Sequence, residues 1–399
     1  MSISVGIVGA GLFGSEFAEL FALHPTVSSL SVTDSIPQRA TEAANKLSLE
    51  KIYDTFENLL ASDVDAVAIF TQRWMHGPMV VQALRAGKHV YSAVPMAFTL
   101  AEVTDIITAV RETGLVYMMG ETSFYNPAAV FGRQKLAAGE FGEIFYAEGD
   151  YLHDMSSFYG GYQHSGGENW KATASFPPMH YPTHSIGGVL SVVPAHAVGV
   201  SCIGIPDHHE DGVFDKSLSI FDNDVSNASA LFELSNGGAM RINEMRRIGY
   251  PTEIRESRFR YFGTEGCFEQ LANVSLWQTK TELVDVTEQL ATEHPEKGDS
   301  EKFSYGSGYA AIQDSSRIPR ELVGAPNGHE GVHHFLVDDF VTAVDNKTNP
   351  PINAWVAARF TVPGIIAHQS AELCGTRLPV PDFGDSPLGV GESVRRLTP

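Results

Sequence analysis

A chain of 399 residues with 43% apolar and 19% charged residues has the composition of a globular protein and the length for two domains, which excludes a disordered chain. The formal net charge of −21 argues against nucleic acid and anionic membranes as partners, although a few arginines suffice to build a local anion pocket. Cys202, Cys267 and Cys374 are far apart with no C-x-x-C, the longest apolar stretch (186–206) is broken by glycines, prolines and His196, and an apolar strand at residue 3 leaves no room for a signal peptide. A reducing, cytoplasmic setting is therefore expected.

Ile3 to Val8 reads as a short apolar strand, and Gly9-Ala10-Gly11-Leu12-Phe13-Gly14 follows at once. In this G-x-G-x-x-G run Gly9 suits a tight turn. Gly11 lets a pyrophosphate approach the backbone, and Gly14 lets the next helix pack closely. The N-terminal N–H groups of that helix, from Leu12 and Phe13 onward, then face the phosphates. Short apolar strands alternate with amphipathic helices as far as residue 119: strands at 3–8, 29–34, 52–53, 65–70, 88–92 and 115–119, and helices at 12–23, 37–48, 55–61, 76–86 and 99–113. That alternation predicts a parallel sheet covered on both faces, an α/β Rossmann domain over residues 1–122. Asp34 ends the second strand, where a carboxylate accepts hydrogen bonds from ribose hydroxyls and repels a 2′-phosphate, so NAD is favoured over NADP. Two later strand ends also belong at the cofactor edge. One carries Thr71, Gln72 and His76, which can alternatively cap the next helix; the other carries Ala93, Val94 and Pro95.

The segments VDAVAIFTQRWMH and ALRAGKHVYSAVPMAFTLAE, with the opening glycine motif, resemble the glucose–fructose oxidoreductase, inositol dehydrogenase and MocA (Gfo/Idh/MocA) family. The resemblance covers nearly the whole chain. It implies a Rossmann domain followed by an α+β domain with an open, mostly antiparallel sheet, a bound NAD or NADP, a small carbohydrate-like substrate and a homo-oligomer. Family members commonly carry Glu-Lys-Pro where this chain has Ala93-Val94-Pro95. That lysine helps move the hydroxyl proton, and Val94 has no means to do so.

From Glu143 the pattern changes to strand alternation, with strands expected near 143–152, 196–205, 217–222, 227–234, 239–245, 258–263 and 266–271. A second domain over 123–385 is expected, with helices across 331–372 returning toward the Rossmann domain, a polar loop at 285–330, and a tail from 386. Its chemistry-bearing stretch is Met179-His180-Tyr181-Pro182-Thr183-His184. His180 and His184 lie four apart and share one side only if helical geometry already holds at His180. Three readings are open: acid–base catalysis, a metal-binding pair lacking a well-spaced third ligand, and a structural role. In family dehydrogenases an Asp precedes a His by four residues beside the reacting hydroxyl. Here His180 and His184 occupy those places. Tyr181-Pro-Thr-His184 together with Val94 looks like the NAD-dependent glycosidase branch, which oxidises a sugar hydroxyl (usually at C3), eliminates the C1 substituent, adds water and re-reduces the ketone. The resemblance therefore marks His184, His180 and Tyr181 as catalytic, with Glu121 at the cofactor and no metal. The alternative is an NAD-dependent sugar or polyol dehydrogenase. Substrate candidates are Tyr125, His153, Trp170, Lys171 and Arg246. The arginine strand around 241–247 either grips an anionic group, such as the sulfonate of a hexoside, or is a solvated edge.

Overall fold

The computed structural model describes residues 2–49, 51–249, 255–292 and 308–387. It contains two compact units, the described parts of Met1–Pro127, Ala291–Ala358 and Gly384–Pro399, and of Ala128–Leu290 and Arg359–Phe383. The described residues of 291–358 belong to the first unit and those of 359–383 to the second.

The first unit holds a six-stranded parallel sheet: β1 (Ile3–Val8), β2 (Val27–Thr33), β3 (Lys51–Ile52), β4 (Ala66–Ile69), β5 (His89–Ser92) and β6 (Tyr117–Met119), in the order β3-β2-β1-β4-β5-β6. The central strands are almost entirely apolar and buried, as strands covered on both faces must be. Strand order reverses between β1 and β4, which opens the crevice where ligands bind in such sheets. Helix Leu12–Leu23 follows the glycine turn and buries Phe17, Leu20 and Phe21. Helix Leu100–Thr113 shows how sharply local sequence sets an end: Thr99 and Glu102 form a capping box, and Gly114, left-handed at φ 65°, closes it.

The second unit is built on a nine-stranded sheet. Its strands are β7 (Ile144–Leu152), β8 (Ala197–Pro206), β9 (Val225–Leu234), β10 (Ala239–Met245), β11 (Ser257–Gly263), β12 (Gly266–Gln270), β13 (Ser275–Thr279), β14 (Leu283–Asp285) and β15 (Leu378–Pro379). The order is β14-β13-β12-β11-β7-β10-β9-β8-β15, and only the β7–β10 pair is parallel. Helix Thr183–Leu190 lies close on β7 because Gly149 has no side chain: a Cβ there would sit 2.4 Å from Ser185 O. Gly188 does the same against the Phe259 ring, at 2.0 Å. On the other side of β7, Glu148 and Asp150 bind Arg260 at 2.6 and 3.1 Å, and Arg241 binds Glu148 at 3.0 Å.

The strand expected at 217–222 is absent. The Asp215 carboxylate takes both the N–H and the hydroxyl of Ser217, and the Ser219 hydroxyl accepts from Phe221 and Asn223 N–H. Those local bonds outcompete a ladder and leave Leu218 and Ile220 exposed. Of the expected loop and tail, residues 293–307 and 388–399 lie outside the described residues. Among the described residues no helix is long and apolar enough to cross a membrane.

Candidate functional site

The glycine turn sits at the carboxyl end of β1. Gly9 is left-handed at φ 93°, and a Cβ on it would meet Phe70 O at 2.8 Å. A Cβ on Gly14 would lie 2.0 Å from Gly9 O, so helix Leu12–Leu23 needs glycine to approach the turn. Gly11 differs: a Cβ there meets nothing within 4 Å, which is what a backbone turned toward a ligand shows. Gly11 is also the N-cap and offers no side-chain cap, so the first-turn N–H groups are left for an anion. Asp34 accepts the Ala10 N–H on one oxygen and the Ile36 N–H on the other, each at 2.7 Å. Its carboxylate is thereby fixed beside the turn, where a ribose diol of NAD fits and a 2′-phosphate meets like charge. These residues fit NAD on their own geometry.

Several neighbours assigned to the cofactor or substrate prove to be committed elsewhere. His76 is buried, with Nδ1 2.8 Å from Pro95 O and Nε2 3.1 Å from Thr71 O. Burial above all holds its pKa below the usual imidazole value. It braces the two loops of the cofactor edge against each other. The Thr71 hydroxyl donates to Met79 Sδ at 3.4 Å, and Gln72 beside it is half-buried. Ala93, Val94 and Pro95 are all buried, and the Ala93 N–H donates to Ile69 O at 2.9 Å. Glu121 is wholly buried and accepts the Ser123 N–H at 2.7 Å, capping a short 3-10 turn. Tyr125 donates to Asp339, stacks on Phe335 at 5.0 Å and lies under the Arg317 guanidinium at 5.3 Å. It belongs to an ion cluster inside the first unit, in which Arg317 reaches Asp338 and Asp339 at 2.9 and 3.1 Å.

The second unit carries the proton-transfer groups. Tyr151 stands on the helix-facing side of β7, because Gly149 two residues earlier faces the same helix. Its ring lies 4.9 Å from that of His184. Its hydroxyl bonds His153 Nδ1, and His153 Nδ1 is 3.5 Å from Glu256 Oε2. His184 Nε2 is 3.3 Å from the Tyr181 hydroxyl. The Arg246 guanidinium lies against both phenol rings, 5.3 Å from Tyr151 and 5.6 Å from Tyr181. Arg246 is 6% exposed, and its Nη1 has no hydrogen-bond partner among the described residues. Two residues back, on β10, Glu244 is fully buried and accepts the Ser185 hydroxyl. The result is two Tyr–His pairs around one buried cation.

His180 is not on the helix that carries His184. It ends a 3-10 turn, Pro178–His180; Tyr181 breaks out of helical geometry at φ −123°, ψ 45°, and the α-helix begins only at Thr183. His180 instead meets Phe176 and His368 edge-on, at 6.1 and 4.8 Å, where burial and then His368 push its pKa well down. Trp170 packs in a separate apolar cluster with Met155, Ala174, Val213 and Phe214, and Lys171 donates to Asp211 O at 2.5 Å. The arginine strand also divides. Arg241 is in the lattice on the far side of β7, Arg247 pairs with Asp211 at 2.8 Å, and Arg246 alone enters the tyrosine–histidine cluster. Glu256 was not foreseen: it lies about 100 residues from His153, and no motif marks it. Among the described residues no group of three or more His, Cys, Asp or Glu is placed to hold a metal ion.

The switch-point crevice, the glycine turn and Asp34 define an NAD-binding Rossmann enzyme. Residues 3–121 match the model of the GFO_IDH_MocA oxidoreductase family with an NAD-binding Rossmann fold. A glycosyl hydrolase family 109 protein of Streptomyces filamentosus is 25% identical over 410 residues, spanning 96% of this chain and 77% of the relative. An alpha-N-acetylgalactosaminidase of Bacteroides fragilis is 34% identical over 140 residues, 34% of this chain and 32% of that protein. A levoglucosan dehydrogenase, solved in complex with NADH and L-sorbose, has the same fold: TM-score 0.73 at 17% identity, covering 96% of this chain and all of that one, 100%.

Proposed function

We propose that the protein is an NAD-dependent glycosidase that opens a glycosidic bond through transient oxidation of the sugar, usually at C3. The observation that carries this is the pair of Tyr–His couples, Tyr181–His184 and Tyr151–His153, gathered around Arg246. A dehydrogenase moves one hydroxyl proton. This cycle moves three: from the C3 hydroxyl, from C2 once the neighbouring ketone has acidified it, and onto the departing C1 oxygen. NAD, when bound, takes the hydride from C3 and returns it, so no net oxidation results. Tyr181, with His184 behind its oxygen, is assigned the C2 proton. Tyr151, whose hydroxyl meets His153 Nδ1, is assigned proton traffic at the hydroxyl and the leaving oxygen. Arg246 offsets the negative charge that builds on whichever phenol gives up its proton. Water then adds at C1, the C2 proton returns, and the C3 ketone is reduced.

Arg246 also favours an anionic hexoside, such as one bearing a sulfonate or carboxylate. A guanidinium this deeply buried, with Nη1 unmatched by any acceptor among the described residues, is completed by an oxyanion of the substrate. The enzyme is further taken to work as a cytoplasmic homo-oligomer, for which light scattering on the purified chain is the check.

A sugar or polyol dehydrogenase is the second reading, favoured by the fold shared along the whole chain with levoglucosan dehydrogenase. Incubation of the holoenzyme with aryl glycosides separates the two. Aglycone release over many turnovers with no accumulation of NADH is expected. One NADH per sugar, with an oxidised sugar as product, would establish the dehydrogenase.

A further inference from the structure

Between His153 and His180 the chain leaves the sheet in short helical pieces: a 3-10 turn (Met155–Phe158), helix Tyr159–Gly166, a second 3-10 turn (Gly167–Asn169) and helix Trp170–Ala174. The excursion starts just after His153 and returns just ahead of Tyr181, so both its ends belong to the proton-transfer groups. Its outer positions, among them Ser156, Ser157, Gln163 and Glu168, are exposed. Gly160 and Gly161 stand in the first turn of helix Tyr159–Gly166, and a Cβ on either would meet no described atom within 4 Å. Neither has a positive φ. Packing and backbone conformation therefore do not call for glycine at these positions. What the pair supplies is a helix that unwinds easily.

The polar fastening of this helix converges on Asp211. Its Oδ2 accepts the Tyr159 hydroxyl at 2.9 Å and Arg247 Nη2 at 2.8 Å, its Oδ1 accepts the Val213 N–H at 3.0 Å, and its carbonyl oxygen accepts Lys171 Nζ. The Arg247 guanidinium also lies against the Tyr159 ring at 5.5 Å, and that ring packs on Trp170 at 4.9 Å. Arg247 is itself fixed to the catalytic strand end: Asn227 Oδ1 accepts both its N–H and that of Arg246, at 3.0 and 2.8 Å. Tyr159 and Tyr162, three residues apart, share one helix face, and both pack on the cluster of Met155, Trp170, Val213 and Phe214. From the same segment Phe158 meets the His153 ring edge-on at 4.4 Å, and Tyr162 is near enough to Arg246 to interact with its charge.

We propose that Asp211 is a positioning residue: by binding Tyr159 and Arg247 together it latches helix Tyr159–Gly166 as a lid over the Arg246 cluster, and the lid keeps the oxidised sugar in place until it is reduced. In the proposed cycle the C3 ketone exists only between loss and return of the hydride. A sugar that escapes after elimination leaves as the C1–C2 unsaturated ketone. Its C1 oxygen has departed as the alcohol, and one NADH and one proton remain behind, so the enzyme stalls. Retention of the sugar rests on the glycosidase reading; the latch does not.

The full-length, NAD-loaded protein is compared with Tyr159→Phe, Asp211→Asn and the double change Gly160→Ala with Gly161→Ala. Backbone hydrogen exchange over residues 156–166 is followed by mass spectrometry without substrate. Stalled NADH is followed by absorbance during turnover of an aryl glycoside. Tyr159→Phe keeps its ring against Trp170 and Arg247, which guards against a variant that folds poorly. It should speed exchange in this segment by about three- to tenfold, the factor one hydrogen bond contributes to a local opening, and leave the rest of the second unit unchanged. Asp211→Asn should do the same or more. Both should raise the share of enzyme stalled as NADH by a similar factor. The double alanine variant should slow exchange by about fivefold. Unchanged exchange over 156–166 in both latch variants, or a rise spread evenly through the unit, would overturn the latch. Faster exchange with no added stalling would overturn its role in holding the sugar. One NADH per sugar from the parent protein would instead remove the glycosidase reading, and exchange alone would then decide the latch.

Discussion

Replacing Arg246 with methionine separates what the guanidinium does for the fold from what it does for the substrate. In the folded chain the cation is buried with two phenol faces at 5.3 and 5.6 Å and no carboxylate within ion-pair distance among the described residues. Loss of two cation–π contacts costs about 0.5–2 kcal/mol each, while relief of a desolvated charge offsets a similar amount, so the net change in stability should stay within about 2 kcal/mol of zero. The backbone N–H, which donates to Asn227 Oδ1 at 2.8 Å, is untouched. Substrate binding has no such offset. A charge-assisted hydrogen bond contributes about 1.5–3 kcal/mol, so losing a fork onto an oxyanion should lower kcat/KM by on the order of 100-fold. The assay compares aryl hexosides that differ only at C6, carrying a hydroxymethyl, a carboxylate or a sulfonate. Arg246→Met should erase the preference for the charged sugars, beyond a loss common to all three from the phenolate charge it no longer offsets. Equal losses on all three sugars, or a variant destabilised by far more than 2 kcal/mol, would refute an anion-binding role.

Three further outcomes follow from the same geometry. Tyr181→Phe and His184→Ala should each lower kcat by roughly 10²–10⁴-fold while NAD affinity, measured by fluorescence titration, stays unchanged. Loss of cofactor binding in either would show a structural role instead. Asp34→Ala removes the carboxylate that holds the Ala10 and Ile36 N–H groups, so the preference for NAD over NADP should narrow by about tenfold or more, with some loss of affinity for both; an undiminished preference would point to other residues. The third outcome concerns acid. Burial is the chief cause that lowers the pKa of His76, His180, His333 and His368, and His334 falls to about 4. These rings are neutral in the folded chain and take up protons on unfolding. The stability they contribute is therefore full above about pH 6.5 and lost as pH falls toward the folded-state values, His334 alone accounting for on the order of 3 kcal/mol by pH 4. Urea midpoints measured from pH 7.5 to 4.5 should drop steadily, and a flat profile would contradict the assignment.

The first unit was legible because its signals are local. Strand 3–8 and helix 12–23 fall where the apolar runs and glycine spacing place them, and Gly9, Gly11 and Gly14 meet three different surroundings, as their separate roles require. The later unit was less legible because long-range contacts decide it. The alternation in 217–222 lost to side-chain bonds from Asp215 and Ser219. The spacing of His180 and His184 was right for one helix face, but Pro182 delays the helix and turns the two rings to different neighbours. Alternation along the arginine strand separated Arg246 from Arg241, yet only the packed structure shows that Arg246 lies against Tyr151 and Tyr181. Glu256 and the His329–His333 pair are products of chain return, and nothing in their own sequence marks them as partners of His153 and Phe13.

The central claim is that the sugar is oxidised only in passing. The most direct measurement is hydrolysis of an aryl glycoside by the NAD-loaded enzyme in deuterium oxide, with the recovered sugar examined by NMR. A C2 proton removed and replaced during elimination and hydration predicts a product deuterated at C2 and unoxidised at C3, with no NADH accumulated. Hydrolysed sugar that keeps its C2 hydrogen, or an oxidised sugar matched by NADH, would contradict it.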